Sequence, residues 1–188
     1  MPYFSRDKDE VFVGRIRKRL AWLDTEITSS HLALDNVQSE AATNALLAQG
    51  ISLFSPDVEI ARAGQIADVE GNELAKTPGF TANLALTYTS PIGSWGDFEG
   101  SLSYTHRGDF RHRIFNNPIT DEVDGYDTID LVLRFSPTDA NWRVELIGKN
   151  LTDEDGINAR FTDVFGVGAT GDQFIPPRVL MARVGIDF

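Results

Sequence analysis

Five stretches of this chain switch between apolar and polar at every second residue. A backbone that keeps such a pattern is extended, with its two sides in unlike surroundings. From 80 to 90, Phe80, Ala82, Leu84, Leu86 and Tyr88 share one side, while Thr81, Asn83, Thr87 and Thr89 share the other with Ala85. From 98 to 110, Phe98, Gly100, Leu102, Tyr104, His106 and Phe110 oppose Glu99, Ser101, Ser103, Thr105, Arg107 and Asp109. Ile129, Leu131, Leu133 and Phe135 alternate with Asp130, Val132 and Arg134; Trp142, Val144, Leu146 and Gly148 alternate with Arg143, Glu145, Ile147 and Lys149. Leu180, Ala182, Val184, Ile186 and Phe188 alternate with Met181, Arg183, Gly185 and Asp187. A weaker sixth strand runs from Ile16 to Ile27, with Ile16, Leu20 and Trp22 on one side. Lys18 shares that side, near the expected start of the strand, where its amine can reach a headgroup layer. Residues 1–15 receive no assignment.

The links between these strands alternate in length. Residues 90–97 and 136–141 are tight turns rich in Pro, Gly and Asp, whereas 28–79, 111–125 and 151–177 are long, and the Ala- and Leu-rich stretch 32–49 in the first of these can hold a short helix. Short turns on one side and long loops on the other are the habit of an outer-membrane barrel. Strands of about 10 residues suit a tilted membrane crossing, whereas strands of soluble proteins run to about 5 or 6. With such a topology, Tyr88, Phe98, Phe135, Trp142 and Phe188 all fall at the short-turn rim on the apolar side, with Phe80 and Phe110 at the opposite rim. Aromatic girdles at both interfaces are the physical expectation. Glu99, Arg107, Asp130, Arg134, Arg143, Glu145, Lys149, Arg183 and Asp187 point to the other side, sparing the lipid face charges that would each cost roughly 2–4 kcal/mol at the bilayer midplane. The fold expected is an all-β, antiparallel up-and-down meander of about six strands, fewer than the roughly eight at which single-chain barrels close. Open edges in hydrocarbon leave backbone groups unsatisfied. Together with the absence of a secretory leader pattern in Met1–Glu10, this reads as part of a larger barrel.

Composition excludes other classes. The net charge of −11 argues against nucleic acid as a partner, and the lack of cysteine removes disulfides and thiolate metal sites. His31, His106 and His112 lack zinc-ligand spacing, and no Ser/His/Asp or paired-carboxylate motif marks an enzyme. Asp153, Glu154, Asp155 and Asp163 match no calcium-loop spacing and read as a hydrophilic loop.

Four segments carry a more specific signal. Asn141-Trp142-Arg143-Val144-Glu145-Leu146-Ile147-Gly148-Lys149-Asn150-Leu151-Thr152-Asp153 resembles the penultimate strand of TonB-dependent receptors, where a Trp-initiated strand ends in Asn-Leu-Thr-Asp. Ile175-Pro176-Pro177-Arg178 and the strand to Phe188 resemble their closing strand, Thr77-Pro78-Gly79-Phe80-Thr81-Ala82-Asn83-Leu84 a Pro-led strand entry, and Leu20-Ala21-Trp22-Leu23-Asp24-Thr25-Glu26 the strand before it. The resemblance spans residues 16–188. It implies a barrel of about 22 strands in the outer membrane of a Gram-negative bacterium. Such a barrel actively imports a scarce ligand, a siderophore, cobalamin or glycan, with TonB acting through a plug that this sequence lacks. No resident cofactor is implied. A passive porin-like barrel and a soluble all-β binding module are the competing readings.

Two groups of residues stand out as functional candidates. Leu180, Val184, Ile186 and Phe188 resemble the terminal signal by which the barrel-assembly machinery captures a strand edge; they also simply face lipid. Arg107, Arg111 and Arg113, with His112, form a basic cluster suited to lipopolysaccharide phosphates or an anionic ligand. The plainer reading pairs them with Asp109, Asp121 and Asp124 in a solvated loop.

Overall fold

The computed structural model describes residues 13–162 and 169–186. Its elements are β1 (Val13–Trp22), β2 (Leu32–Leu34), α1 (Asn36–Leu47), α2 (Pro56–Ala63), β3 (Ile66–Asp68), β4 (Phe80–Pro91), β5 (Gly96–Arg107), β6 (Phe110–Arg111), β7 (Glu122–Val123), β8 (Tyr126–Pro137), β9 (Trp142–Lys149), β10 (Ile157–Thr162), β11 (Thr170–Phe174) and β12 (Val179–Ile186). Six of them form one antiparallel sheet in the order β1-β4-β5-β8-β9-β12. Each pairs with its neighbour in the chain order of the sheet, so the expected meander is the fold observed. The shorter strands form the hairpins β2–β3, β6–β7 and β10–β11 inside the three long links.

Register follows the alternation. Leu86 lies opposite Ile16 and Leu102, and Leu102 opposite Leu131. On the reverse side Thr87 faces Ser101, Ser101 faces Val132, and Arg134 faces both Glu99 and Glu145. A slip of one residue would carry every one of these side chains through the sheet.

Burial shows where the core is, and it is not on the sheet. Among the described residues the buried apolar ones are Val58, Val69, Phe110, Val123 and Ala82, of which only Ala82 belongs to the six-stranded sheet. Large apolar side chains on the sheet stay open: Leu102 is 44 % exposed and Leu180 72 %. Among the described residues no element covers that face, as the second sheet of a soluble sandwich would. Among the described residues no helix is long and apolar enough to cross a membrane, which has no bearing on strands.

Three details differ from the sequence reading. β1 starts at Val13 and ends at Trp22, not at Ile16 and Ile27, so Lys18 lies mid-strand opposite Leu84 rather than near a strand start. Phe110 is not at the lipid-facing rim. The sheet strand stops at Arg107, and Phe110 enters the β6–β7 hairpin, 4 % exposed. The break occurs because Gly108 and Gly125 let the chain cross itself: the Gly108 amide donates to the Phe80 carbonyl at 2.8 Å, and a Cβ on Gly125 would sit 2.6 Å from the Arg107 oxygen. The third is α2, a second helix in the first link beyond the one expected within 32–49, capped by Ser55 and with Pro56 in its first turn.

The β4–β5 turn depends on Gly96. Its φ of 151° is a conformation that L side chains rarely adopt, and an added Cβ would collide with the Ser136 carbonyl of the neighbouring strand. Gly96→Ala should therefore destabilise the sheet by about 1–3 kcal/mol, read as a lowered urea midpoint in detergent. An unchanged midpoint would mean that the turn relaxes freely.

Candidate functional site

The sheet has a turn end, where the β4–β5 and β8–β9 turns lie, and a loop end carrying the three long links. At the turn end, Phe98 lies opposite Phe135, and the Phe135 and Trp142 rings meet edge-on with centroids 6.2 Å apart. Tyr88 stands one strand over, opposite Gly100. The structure thus gathers Tyr88, Phe98, Phe135 and Trp142 on the apolar face at one end. At the loop end of that face the Trp22 and Phe80 rings lie 5.0 Å apart, with His106 beyond them at 5.4 Å from Phe80. Leu180, Val184 and Ile186 lie exposed along β12, which forms one edge of the sheet. Phe188 and Asp187 lie outside the described residues, as does Asp163.

The polar face carries a charge ladder across four strands. Arg134 donates to Glu145 at 2.8 Å and to Glu99 at 3.3 Å, and Arg183 reaches the second Glu145 oxygen at 3.4 Å. Nearer the loop end, Lys149 pairs with Asp130 at 2.8 Å. Alternating signs in register neutralise one another where water is limited.

Above the loop end the three links are joined into one cap. Arg113, 13 % exposed, reaches Asp121 and Asp35 at 2.6 Å each and donates to Thr120 at 3.2 Å. Asp35 comes from the first link, where it also caps α1 by accepting from the Val37 and Gln38 amides. Arg160, from β10 in the third link, forms a forked pair with Asp172 and donates to the Glu122 carbonyl at 2.9 Å in the second. Its hydrogen bonds hold the Asp172 carboxyl below the usual aspartate range. Arg107 lies over the Phe110 ring, 4.3 Å from its centroid, and donates to the Asn158 carbonyl; Arg111 pairs with Glu122 at 2.8 Å. The three arginines of the basic cluster are therefore each engaged by a different set of partners.

His112 is buried in this cap, with Nε2 3.1 Å from the Thr162 hydroxyl and Nδ1 without a partner among the described residues. Burial is the main cause that pushes its pKa below the ordinary histidine value; Lys76, Arg113 and Arg160 act in the same direction and Asp121 against it. A histidine held neutral in the fold binds a proton more readily once unfolded. Its contribution is complete above the unfolded pKa near 6.5 and is lost as pH falls through the lowered folded value. Amide protection in the cap, corrected for the intrinsic pH dependence of exchange, should thus fall as pH drops below about 6.5. His112→Gln should flatten the response, and an equally steep response in the variant would assign it to other groups.

Among the described residues no group of three or more His, Asp or Glu is arranged to hold a metal ion. What the geometry offers is a two-faced ribbon under a tied polar cap. Residues 41–151, from within α1 to just past β9, match the family described as TonB dependent receptor-like, beta-barrel. No curated protein and no solved structure matches the chain.

Proposed function

This chain belongs to the TonB-dependent receptor β-barrel family, and from that premise we propose that residues 16–188 form the closing strands of an outer-membrane importer of about 22 strands. Receptors of the family take up scarce ligands with energy supplied through TonB. The ligand here would be a siderophore, cobalamin or glycan, and TonB would act through a plug outside this sequence. Residues 1–12 are left without a role. The observation that carries the reading is the bare apolar face: about 25 cal/mol is at stake per Å² of apolar surface, and hydrocarbon is the cover that needs no second protein layer.

In this proposal Tyr88, Phe98, Phe135, Trp142 and Phe188 form the periplasmic girdle, and Leu180, Val184, Ile186 and Phe188 are read by the assembly machinery at the free β12 edge. Contact of Arg107, Arg111 and Arg113 with lipopolysaccharide or an anionic ligand requires each to release its present partner. Arg113, in the tightest of these pairings, is the least available.

The chain should stay with outer membranes through a carbonate wash and should need detergent to remain monomeric. A stable monomer in plain buffer overturns the reading in favour of a soluble all-β module. An energised importer and a passive porin-like barrel differ in their need for the proton motive force. Uptake through the barrel containing these strands should stop when that force is collapsed, whereas a porin would continue to conduct.

A further inference from the structure

The polar face of the sheet divides in two. Over β5, β8, β9 and β12, cations and carboxylates pair, through Glu99, Arg134, Glu145 and Arg183 and through Asp130 with Lys149. Over β1, β4 and β5, the same face presents Arg15, Arg17 and Arg19, all exposed. Their cross-strand neighbours are Thr87, Ala85 and Asn83, and behind these lie Ser101, Ser103 and Thr105. All six are uncharged and short. No carboxylate pairs with the three arginines among the described residues, in a chain whose net charge is −11.

Alternate residues of a strand stand about 6.8 Å apart, so the three guanidinium groups form a row of roughly 14 Å. Three like charges at that spacing repel one another, and the short side chains beside them supply no counter-charge. They supply room. Arg17 and Arg19, with Asn83, Leu84, Ala85, Ser103 and Tyr104, border a hollow of about 270 Å³. Part of its floor is polar: Asn83 accepts from the Thr105 hydroxyl at 3.0 Å through its carbonyl oxygen, which leaves its amide hydrogens as donors. Guanidinium groups match phosphate and carboxylate oxygens in a two-pronged fashion. A monovalent anion satisfies only one of them, whereas an anion bearing several such groups bridges the row.

We propose that Arg15, Arg17 and Arg19, over the floor of Asn83, Ser103 and Thr105, bind a multivalent oxyanion, a polyphosphate or polycarboxylate ligand, on the inner wall of the barrel. This rests on the reading of the polar face as the lumen, and its test separates the two. The full chain, folded in detergent micelles with strand content checked by circular dichroism, is titrated calorimetrically with inorganic tripolyphosphate and, in a second arm, with citrate. At least one should bind, with an affinity that falls steeply with salt, while acetate should not.

Arg17→Gln/Arg19→Gln should weaken binding about 30-fold or more. Arg17→Lys/Arg19→Lys, which keeps the charge, should lose only part of this, and Arg183→Gln, on the paired ladder, should stay within about twofold. Absence of binding to a micelle-inserted, strand-rich chain overturns the oxyanion site and leaves the barrel reading standing. Equal binding by the double glutamine variant overturns it too. So does binding of hexaglutamate peptide with no response to either small anion, because the row would then serve an acidic protein segment. A chain that stays out of the micelles altogether overturns the barrel reading itself.

Discussion

Leu102→Arg should destabilise the sheet by roughly 2–4 kcal/mol in a lipid bilayer, while Ser101→Arg, one residue away, should change it by less than about 1 kcal/mol. Leu102 is the seventh residue of the twelve in β5, with Leu86 and Leu131 opposite it on either side, so it sits at mid-span on the apolar face. An arginine there has no carboxylate among those neighbours and about half a strand to reach across before water. Ser101 points the other way, between Thr87 and Val132, toward the face that already carries Glu99 and Arg134. The contrast between adjacent positions removes strand propensity from the comparison, since both variants place arginine in the same strand. Urea unfolding from lipid vesicles measures it. Equal stabilities for the two variants would show that hydrocarbon does not touch the Leu102 side, and the membrane reading would fail. In detergent-free buffer the ranking should reverse, because an arginine on the exposed apolar face relieves aggregation.

The sheet was legible in the sequence because period two is a local signal: each strand displays its own two environments within about ten residues. The pairing of Phe98 with Phe135 and of Arg134 with Glu145 follows once the strands are put in meander order. β1 was the weak case. Lys18 interrupts its apolar side, which hides the strand's reach back to Val13 and with it the row Arg15, Arg17 and Arg19. The cap was not legible, since its bonds join residues far apart in the chain. Asp35 and Arg113 are separated by 78 positions, and nothing near either one names the other. Of the basic cluster's partners the sequence names Asp121, which Arg113 does meet; Asp109 and Asp124 give way to Glu122 for Arg111 and the Asn158 carbonyl for Arg107. In space Arg107, Arg111 and Arg113 each turn to a different acceptor.

The loss of Arg113 has the second large expected effect, confined to the cap. Its guanidinium lies between Asp35, 8 % exposed at the side chain, and Asp121, fully buried. Removing a cation from between two such carboxylates leaves both without their partner and in mutual repulsion, for which a cost of about 3–5 kcal/mol is typical. Asp35 keeps the α1 amides and Asp121 keeps the Asn117 amide and the Thr120 hydroxyl, so the carboxylates are not left bare, and the lower part of that range applies. Because these bonds tie the first link to the second, Arg113→Met should free the segment 23–79 without unpairing the sheet. Proteolysis there should speed up by about two orders of magnitude, since each 1.4 kcal/mol is worth a factor of ten, while amide exchange at the centre of β5 and β8 stays slow. Asp35→Asn/Arg113→Met/Asp121→Asn removes all three charges at once and should recover part of the loss, which separates the unpaired carboxylates from a simple packing defect. An Arg113→Met chain whose loop resists protease as well as the parent would mean that the three links stand independently, and that the cap is a set of neighbours and not one unit.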